Sequence, residues 1–453
     1  MPNPAIGMVR RYYTRALELR GALTNILAVT GLSVTASCIG FVLQILLAAH
    51  YGAGLPIDSY LFATSVPLFL AALGSAALSY SVVPALVEVE LDAAARSTLL
   101  RHLRRRMVLI ALVFVTVGIP ALWLQPLSIP KNSALRDAPM LPILIGLGWS
   151  IGGVQIFTAL FSIELNAARR PITAACLALP PNFVAILAVL LGPHQITTVP
   201  IGVLCGTLVS LVTGGGLTRR AFAGKDVKVH PARPKMHIIR IGWTLLAMSC
   251  FSIYSVIDAF WGPRAGVGTL ASLGYAQRLV VGIGSLVVAG PSAVLTPRFA
   301  MRLRDGGRVA FLGEVRRTML VIGVITSCAA TLLMLLSSRL IEAAFGRGEF
   351  VKSDIIRVEL IFRAMLPGFC AMLVSVVLTR AIFCLKDVER PMALASFSWA
   401  IVYFICCGAM LAWGGLGFGI SYSLAWVIYL MIAIGVLHRY APPDVRKQQN
   451  NTI

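Results

Sequence analysis

Six of the ionisable side chains in or at the ends of long apolar runs set the chemistry open to this chain. Asp258 falls near the end of one run, and Arg278, in GYAQRL (274–279), lies about seven residues, or roughly 10 Å, into the next. A charge in hydrocarbon is costly, so such groups pair with one another or meet ions and charged solutes. Two readings of Asp258 and Arg278 stay open: a structural ion pair, or ligand-binding groups. Arg363, on a run that contains Pro367, either meets a ligand or snorkels to the interface. Glu164, Arg380 and Asp387 stand at run ends, where holding loops is the ordinary role. Covalent chemistry is not indicated. There is no G-x-x-x-x-G-K-[ST] stretch to cradle ATP phosphates, no zinc-protease helix, and no nucleophile beside a base. The nine cysteines sit in or beside apolar runs, none in a CxxC, and read as small buried residues. No enzyme activity, cofactor or metal is expected. Energy must then come from an ion or solute gradient, from the substrate's own gradient, or from a partner ATPase.

The elements that position these groups follow from composition. Of 453 residues, 58% are hydrophobic and only 13% are charged, about half the charged share of soluble domains. Apolar runs near twenty residues long recur, the length needed to cross about 30 Å of hydrocarbon as a helix. A soluble enzyme, a secreted disulfide scaffold and a nucleic-acid-binding domain are excluded. The first run, 24–50, is too long for a signal peptide. Twelve spans are expected, at 24–50, 59–87, 107–124, 140–165, 172–192, 200–218, 241–261, 271–297, 318–337, 358–384, 391–413 and 417–437. Prolines 67, 84, 142, 180, 181, 291 and 367 are expected to kink or break them.

Charge distribution orients the spans. With the N-terminus cytoplasmic, 29 of the 39 Lys and Arg fall on the cytoplasmic side and six on the other. Both termini are then cytoplasmic. The net charge of +21 is an orientation signal that also favours anionic headgroups, and no nucleic-acid partner is implied. The basic connection 219–240 divides the chain into a basic segment 1–23, a six-helix lobe 24–218, that linker, a second lobe 241–437 and a tail 438–453. SVVPAL (81–86) has its counterpart in AVLTPRF (293–299), and ELNAARRP (164–171) in CLKDVERP (384–391). The matched prolines, Pro84 with Pro297 and Pro171 with Pro391, are offset by 213 and 220 residues. The fold expected is all-α, a polytopic membrane protein of about twelve helices in two parallel six-helix lobes around a central cavity.

Several motifs in fixed order resemble the MviN/MurJ family of lipid-linked sugar flippases. They are YGAGLPIDSYLFATSVPLFLAALGSAALSYSVVPALVEV (51–89), ELNAARRPITAACLALPPNF (164–183), VIDAFW (256–261) with SLGYAQRL (272–279), LTPRFA (295–300), FGRGEF (345–350), TRAIFCLKDVERP (379–391) and GGLGFGISYSLAW (414–426). The family lies within the multidrug/oligosaccharidyl-lipid/polysaccharide exporter superfamily, whose two six-helix lobes agree with the duplication. The resemblance implies that Asp58 helps gate the outer end, and that Arg278 with Gln277, joined by Arg363, meets the substrate. It implies ion coupling at Asp258 and Asp387. Phe383 stands where cation-binding members carry Asn, so a sodium site does not carry over. Arginines that line the cavity of lipid II flippases are replaced here by Ser37, Leu43 and the Leu70–Ala71 region.

The function implied is alternating-access flipping of an undecaprenyl-pyrophosphate-linked saccharide across a bacterial inner membrane. The cargo is an exopolysaccharide or O-antigen-type unit, or peptidoglycan lipid II. The alternatives are a cation-coupled multidrug antiporter of the same fold and a non-transporting scaffold of a glycan-synthesis complex. Partners would be the lipid-linked glycan, membrane lipids, and a glycan polymerase or glycosyltransferases.

Overall fold

The computed structural model describes residues 4–88, 93–168, 170–222 and 238–441, and among them every regular element is helical. The helices are α1 (Pro4–Tyr51), α2 (Leu55–Glu88), α3 (Ala93–Leu127), α4 (Leu141–Ala167), α5 (Pro171–Cys176), α6 (Pro180–Leu191), α7 (Thr198–Phe222), α8 (Ile238–Ala265), α9 (Thr269–Phe345), α10 (Lys352–Ile382), α11 (Glu389–Ala409) and α12 (Gly415–Tyr440). Ten stretches are long and apolar enough to cross a membrane, and a bent pair in α8 makes eleven. The remaining expected span, 271–297, is the first part of α9, where several side chains lie outside the described residues. The linker 223–237 and the tail from 442 also lie outside them.

Local chemistry explains where the helices depart from the expected spans. The span 172–192 is two helices, because Pro180 and Pro181 lack the donors to continue α5 and instead open α6. Pro142 does not kink its span as expected: it sits in the first turn of α4, where no backbone donor is missed. α8 bends by 57° between Gly242–Cys250 and Ser252–Ala265. The basic stretch 298–317 is not a loop. α9 runs through it and changes direction at Gly307, whose φ of 64° and ψ of −161° only glycine adopts without strain.

Packing repeats between the two halves. In the first, α2 and α3 pack on α4, α4 on α7, and α6 on α7. In the second, both parts of α9 stand beside α10, α10 packs on α12, and α11 on α12. Even the first helix of each half has the same neighbour, α1 on α6 and α8 on α11. The lobes meet where α2 packs on α8 and where α1 and α2 pack on α9. Large apolar side chains such as Leu109, Trp123, Leu191 and Leu335 remain exposed on the outer faces, which suits hydrocarbon solvent and not water. The second lobe is pinned by a buried aromatic stack in which Trp399 lies 5.2 Å from Tyr403 and 5.3 Å from Trp426.

Candidate functional site

At one end of the molecule the lobes are joined through helix ends. Asp58, in the first turn of α2, is 5% exposed. Its carboxylate accepts the backbone N–H of Gly268 at 2.6 Å and that of Ala271 at 2.7 Å. These are donors of the first turn of α9, which has no capping side chain of its own at Gly268. The cap therefore comes from the other lobe, and its negative charge meets the positive end of the α9 dipole. Gly268 has φ 81°, and a Cβ there would strike the Ala53 carbonyl. Tyr275 donates its hydroxyl to the Gly52 carbonyl at 2.9 Å, and the Glu349 N–H donates to the Ala49 carbonyl at 2.9 Å. Arg264 reaches from α8 to the Ser128 carbonyl at 2.9 Å, with its guanidinium 4.0 Å above the Phe260 ring. Together these contacts seal that end.

Inward of the seal, a cavity of about 230 Å³ lies between the lobes. Gln44 of α1, Tyr60, Thr64 and Ser65 of α2, Ser252, Tyr254 and Ser255 of α8, and Gln277 and Arg278 of α9 supply its polar wall. Thr64, Ser65 and Ser255 donate back to carbonyls of their own helices, which leaves their oxygens free to accept. Among the lining residues Arg278 is the one cation. It is exposed to the cavity and has no ion pair or hydrogen bond among the described residues. An unpaired guanidinium amid neutral hydroxyls and amides is chemically able to bind an anion.

Asp258 and Arg278 are not a pair. Asp258 is 2% exposed and accepts from Gln277 Nε2 and from the Tyr403 hydroxyl, each at 2.5 Å. Successive helical residues point about 100° apart, so Gln277 turns toward α8 and α11 while Arg278 turns into the cavity. Gln277 thus serves both the wall and the acid. The ion-coupling pair Asp258 and Asp387 is not assembled either. Asp387 is exposed in the turn before α11 with φ 55°, whereas Tyr403, which touches Asp258, stands fourteen residues up α11 from Glu389, about 21 Å. Arg363 is spent away from the cavity, bonding Glu359 at 2.6 Å and the Ser337 hydroxyl at 2.7 Å. Glu164 accepts from Arg104 Nε of α3 at 2.9 Å. Among the described residues no group of three His, Cys, Asp or Glu could hold a metal.

Sequence reasoning missed Gln44, Tyr60, Tyr254, Tyr275 and Tyr403. Uncharged polar residues in apolar runs, the tyrosines above all, were the available signal. The positions read as missing arginines point elsewhere: Leu43 and Ala71 are buried, and the α1 side chain at the cavity is the neighbouring Gln44.

Comparisons with known proteins agree with this fold. A probable lipid II flippase MurJ of Bdellovibrio bacteriovorus is 22% identical over 433 residues, covering 90% of this chain and 81% of that one. A probable lipid II flippase MurJ of Vibrio cholerae is 22% identical over 452 residues, covering 90% and 82%. The fold is similar to that of a lipid II flippase MurJ in an inward closed conformation, with TM-score 0.74, 17% identity and coverage of 92% and 90%. It is also similar to an inward-facing multidrug resistance MATE family transporter of the MOP superfamily, with TM-score 0.68, 12% identity and coverage of 90% and 95%. The family model described as lipid II flippase MurJ matches residues 47–449, most of the chain, and the chain belongs to that family.

Proposed function

We propose that this protein is an alternating-access flippase that carries the anionic head of a polyprenyl-pyrophosphate-linked saccharide across a bacterial inner membrane. The observation that carries the reading is the cavity between the lobes, polar on both walls, with Arg278 as its unpaired cation and the Asp58 cap closing one end. A pyrophosphate in a low-dielectric cavity needs a cation and hydrogen-bond donors, because unpaired buried charge costs several kcal/mol. Arg278 supplies the first, and Gln44, Tyr60 and Tyr254 can supply the second. The sugars would meet the hydroxyl oxygens of Thr64, Ser65 and Ser255. The tail stays in lipid throughout, so only the head needs a path.

In this reading the sealed end faces the periplasm and both termini face the cytoplasm. Opening it requires Asp58 to release the α9 terminus, after which the lobes rock about the cavity. With a single cation, the cavity suits a compact pyrophosphate-linked repeat unit of an exopolysaccharide or O-antigen better than lipid II. A glycan polymerase or glycosyltransferases would act before or after it. The test is a proteoliposome assay with three cargoes: a fluorescent polyprenyl-pyrophosphate oligosaccharide, fluorescent lipid II, and a cationic dye. Rapid translocation of the oligosaccharide, slower translocation of lipid II and no gradient-driven dye efflux are expected. Dye efflux without glycan movement would replace the flippase by an antiporter, and movement of neither cargo would leave the scaffold.

A further inference from the structure

Four helices wall the cavity between the lobes, α1 and α2 from the first and α8 and α9 from the second. Over the stretches that flank it, 21–49, 59–87, 241–257 and 269–297, the sequence holds no Asp, Glu, Lys, Arg or His except Arg278. The acid that ends the α8 stretch, Asp258, is turned to Gln277 and Tyr403, which both donate to it. Among the described lining residues the one charge therefore belongs to the second lobe, and the wall of the first lobe is neutral. Both walls offer hydrogen bonding instead. Gln44 of α1, Tyr60 of α2 and Tyr254 of α8 are half-buried, and their side chains make no hydrogen bond among the described residues. An amide and two phenols, free to donate and to accept, suit the hydroxyls and amides of a sugar. At about 230 Å³ the cavity is smaller than most ligand pockets and does not enclose a whole repeat unit. The part of the head it encloses is the phosphates and the sugar joined to them.

On the flippase reading of this cavity, we infer that its neutral wall selects cargo whose first sugar, the one bonded to the pyrophosphate, carries no acidic group. A hexose or an N-acetylated amino sugar fits, and a uronic acid does not. A pyrophosphate diester carries more negative charge than one guanidinium neutralises, so the amide and the phenols must meet the rest. A carboxylate on the adjoining sugar would enter the same low-dielectric space with no second cation to pair with, and would compete with the phosphates for Arg278. A hydroxymethyl group at the same ring position needs only a hydrogen bond, which Gln44, Tyr60 or Tyr254 gives. Sugars farther along the glycan lie outside the enclosed space and escape this selection.

Translocation of three cargoes by the full chain in proteoliposomes tests it, with the rate in protein-free vesicles subtracted. The cargoes share polyprenyl chain, pyrophosphate and label, and differ only in the first sugar: glucose, glucuronic acid, or the methyl ester of glucuronic acid. Wild type is expected to move the glucose cargo at least about tenfold faster than the acid. The ester should move nearly as fast as glucose, because it restores neutrality at close to the acid's size. Gln44→Arg places a cation on the first-lobe wall and should narrow the gap between glucose and acid several-fold. Thr64→Lys should do the same from α2 where Gln44→Arg does not fold. Equal rates for glucose and acid would overturn the inference and leave the flippase reading standing. An ester as slow as the acid would also overturn it, since size would then be the discriminant, and so would an unchanged gap in both variants. Movement of none of the three cargoes would overturn the inference and the flippase reading together.

Discussion

Arg278 and Gln277 are neighbours in sequence and serve different partners, and that division carries most of the site's chemistry. Gln277 and Tyr403 hold Asp258 at 2.5 Å each, so the acid is bound by neutral donors and Arg278 is left for the cavity. Asp258→Asn keeps one acceptor but turns an amide donor toward Gln277 Nε2. We expect a folded protein destabilised by about 1 kcal/mol, read as a lower unfolding temperature in detergent. Tyr403→Phe should cost a similar amount, and the double variant less than the sum because the two share one acid. Wild-type unfolding temperatures in both would show that the bonds do not hold the fold. The charged residues of the site were legible in the sequence because a charge in an apolar run stands out. Their partners were not: pairing depends on which face of α9 each residue occupies, and on α11 arriving from more than a hundred residues away. Arg363 illustrates the limit. The sequence left it to a ligand or to the interface, whereas the structure pairs it with Glu359, one helical turn before it.

At the scale of elements, the first turn of α9 is where the lobes join. Its donors are satisfied by Asp58 across the lobe boundary, so the cap of α9 is also a contact between the lobes. Hydrogen bonds to a charged group contribute about 1.5–3 kcal/mol each. Asp58→Ala should shift the balance away from the sealed form by at least about 2 kcal/mol, roughly thirtyfold. In a background without native cysteines, Gln44→Cys should then react several-fold faster with a thiol reagent applied from the sealed side. No change in that rate would show that the cap does not hold the seal. Gly268→Ala should act in the same direction, since its φ of 81° and the nearby Ala53 carbonyl leave no room for a Cβ. The twelve apolar runs located the helices well because run length is a direct signal of a span. The breaks were harder to read. Pro142 looked like a kink but lies in a first turn, and the real change of direction in α9 is at Gly307. Whether a proline or glycine bends a helix depends on where the helix starts, which residue identity alone does not state.

At the scale of the molecule, the two lobes repeat the same neighbour pattern, and the cavity falls on the boundary between them. The offsets of 213 and 220 residues between matched prolines made the duplication readable, whereas the 57° bend in α8 had no sequence signature. If the sealed end is periplasmic, Val267→Cys, half exposed at the α8–α9 turn, should be labelled in intact cells. Lys225→Cys in the basic linker should be labelled only after permeabilisation, and the opposite pattern would invert the orientation. The central claim is that an anionic head crosses through this cavity past its single arginine. The most direct measurement is the initial rate of polyprenyl-pyrophosphate saccharide translocation in proteoliposomes by wild type, Arg278→Lys and Arg278→Ala, each at matched incorporation. A loss of one bidentate charged contact predicts a fall of at least about tenfold for Arg278→Ala, with Arg278→Lys in between. Wild-type rates in Arg278→Ala would contradict the account.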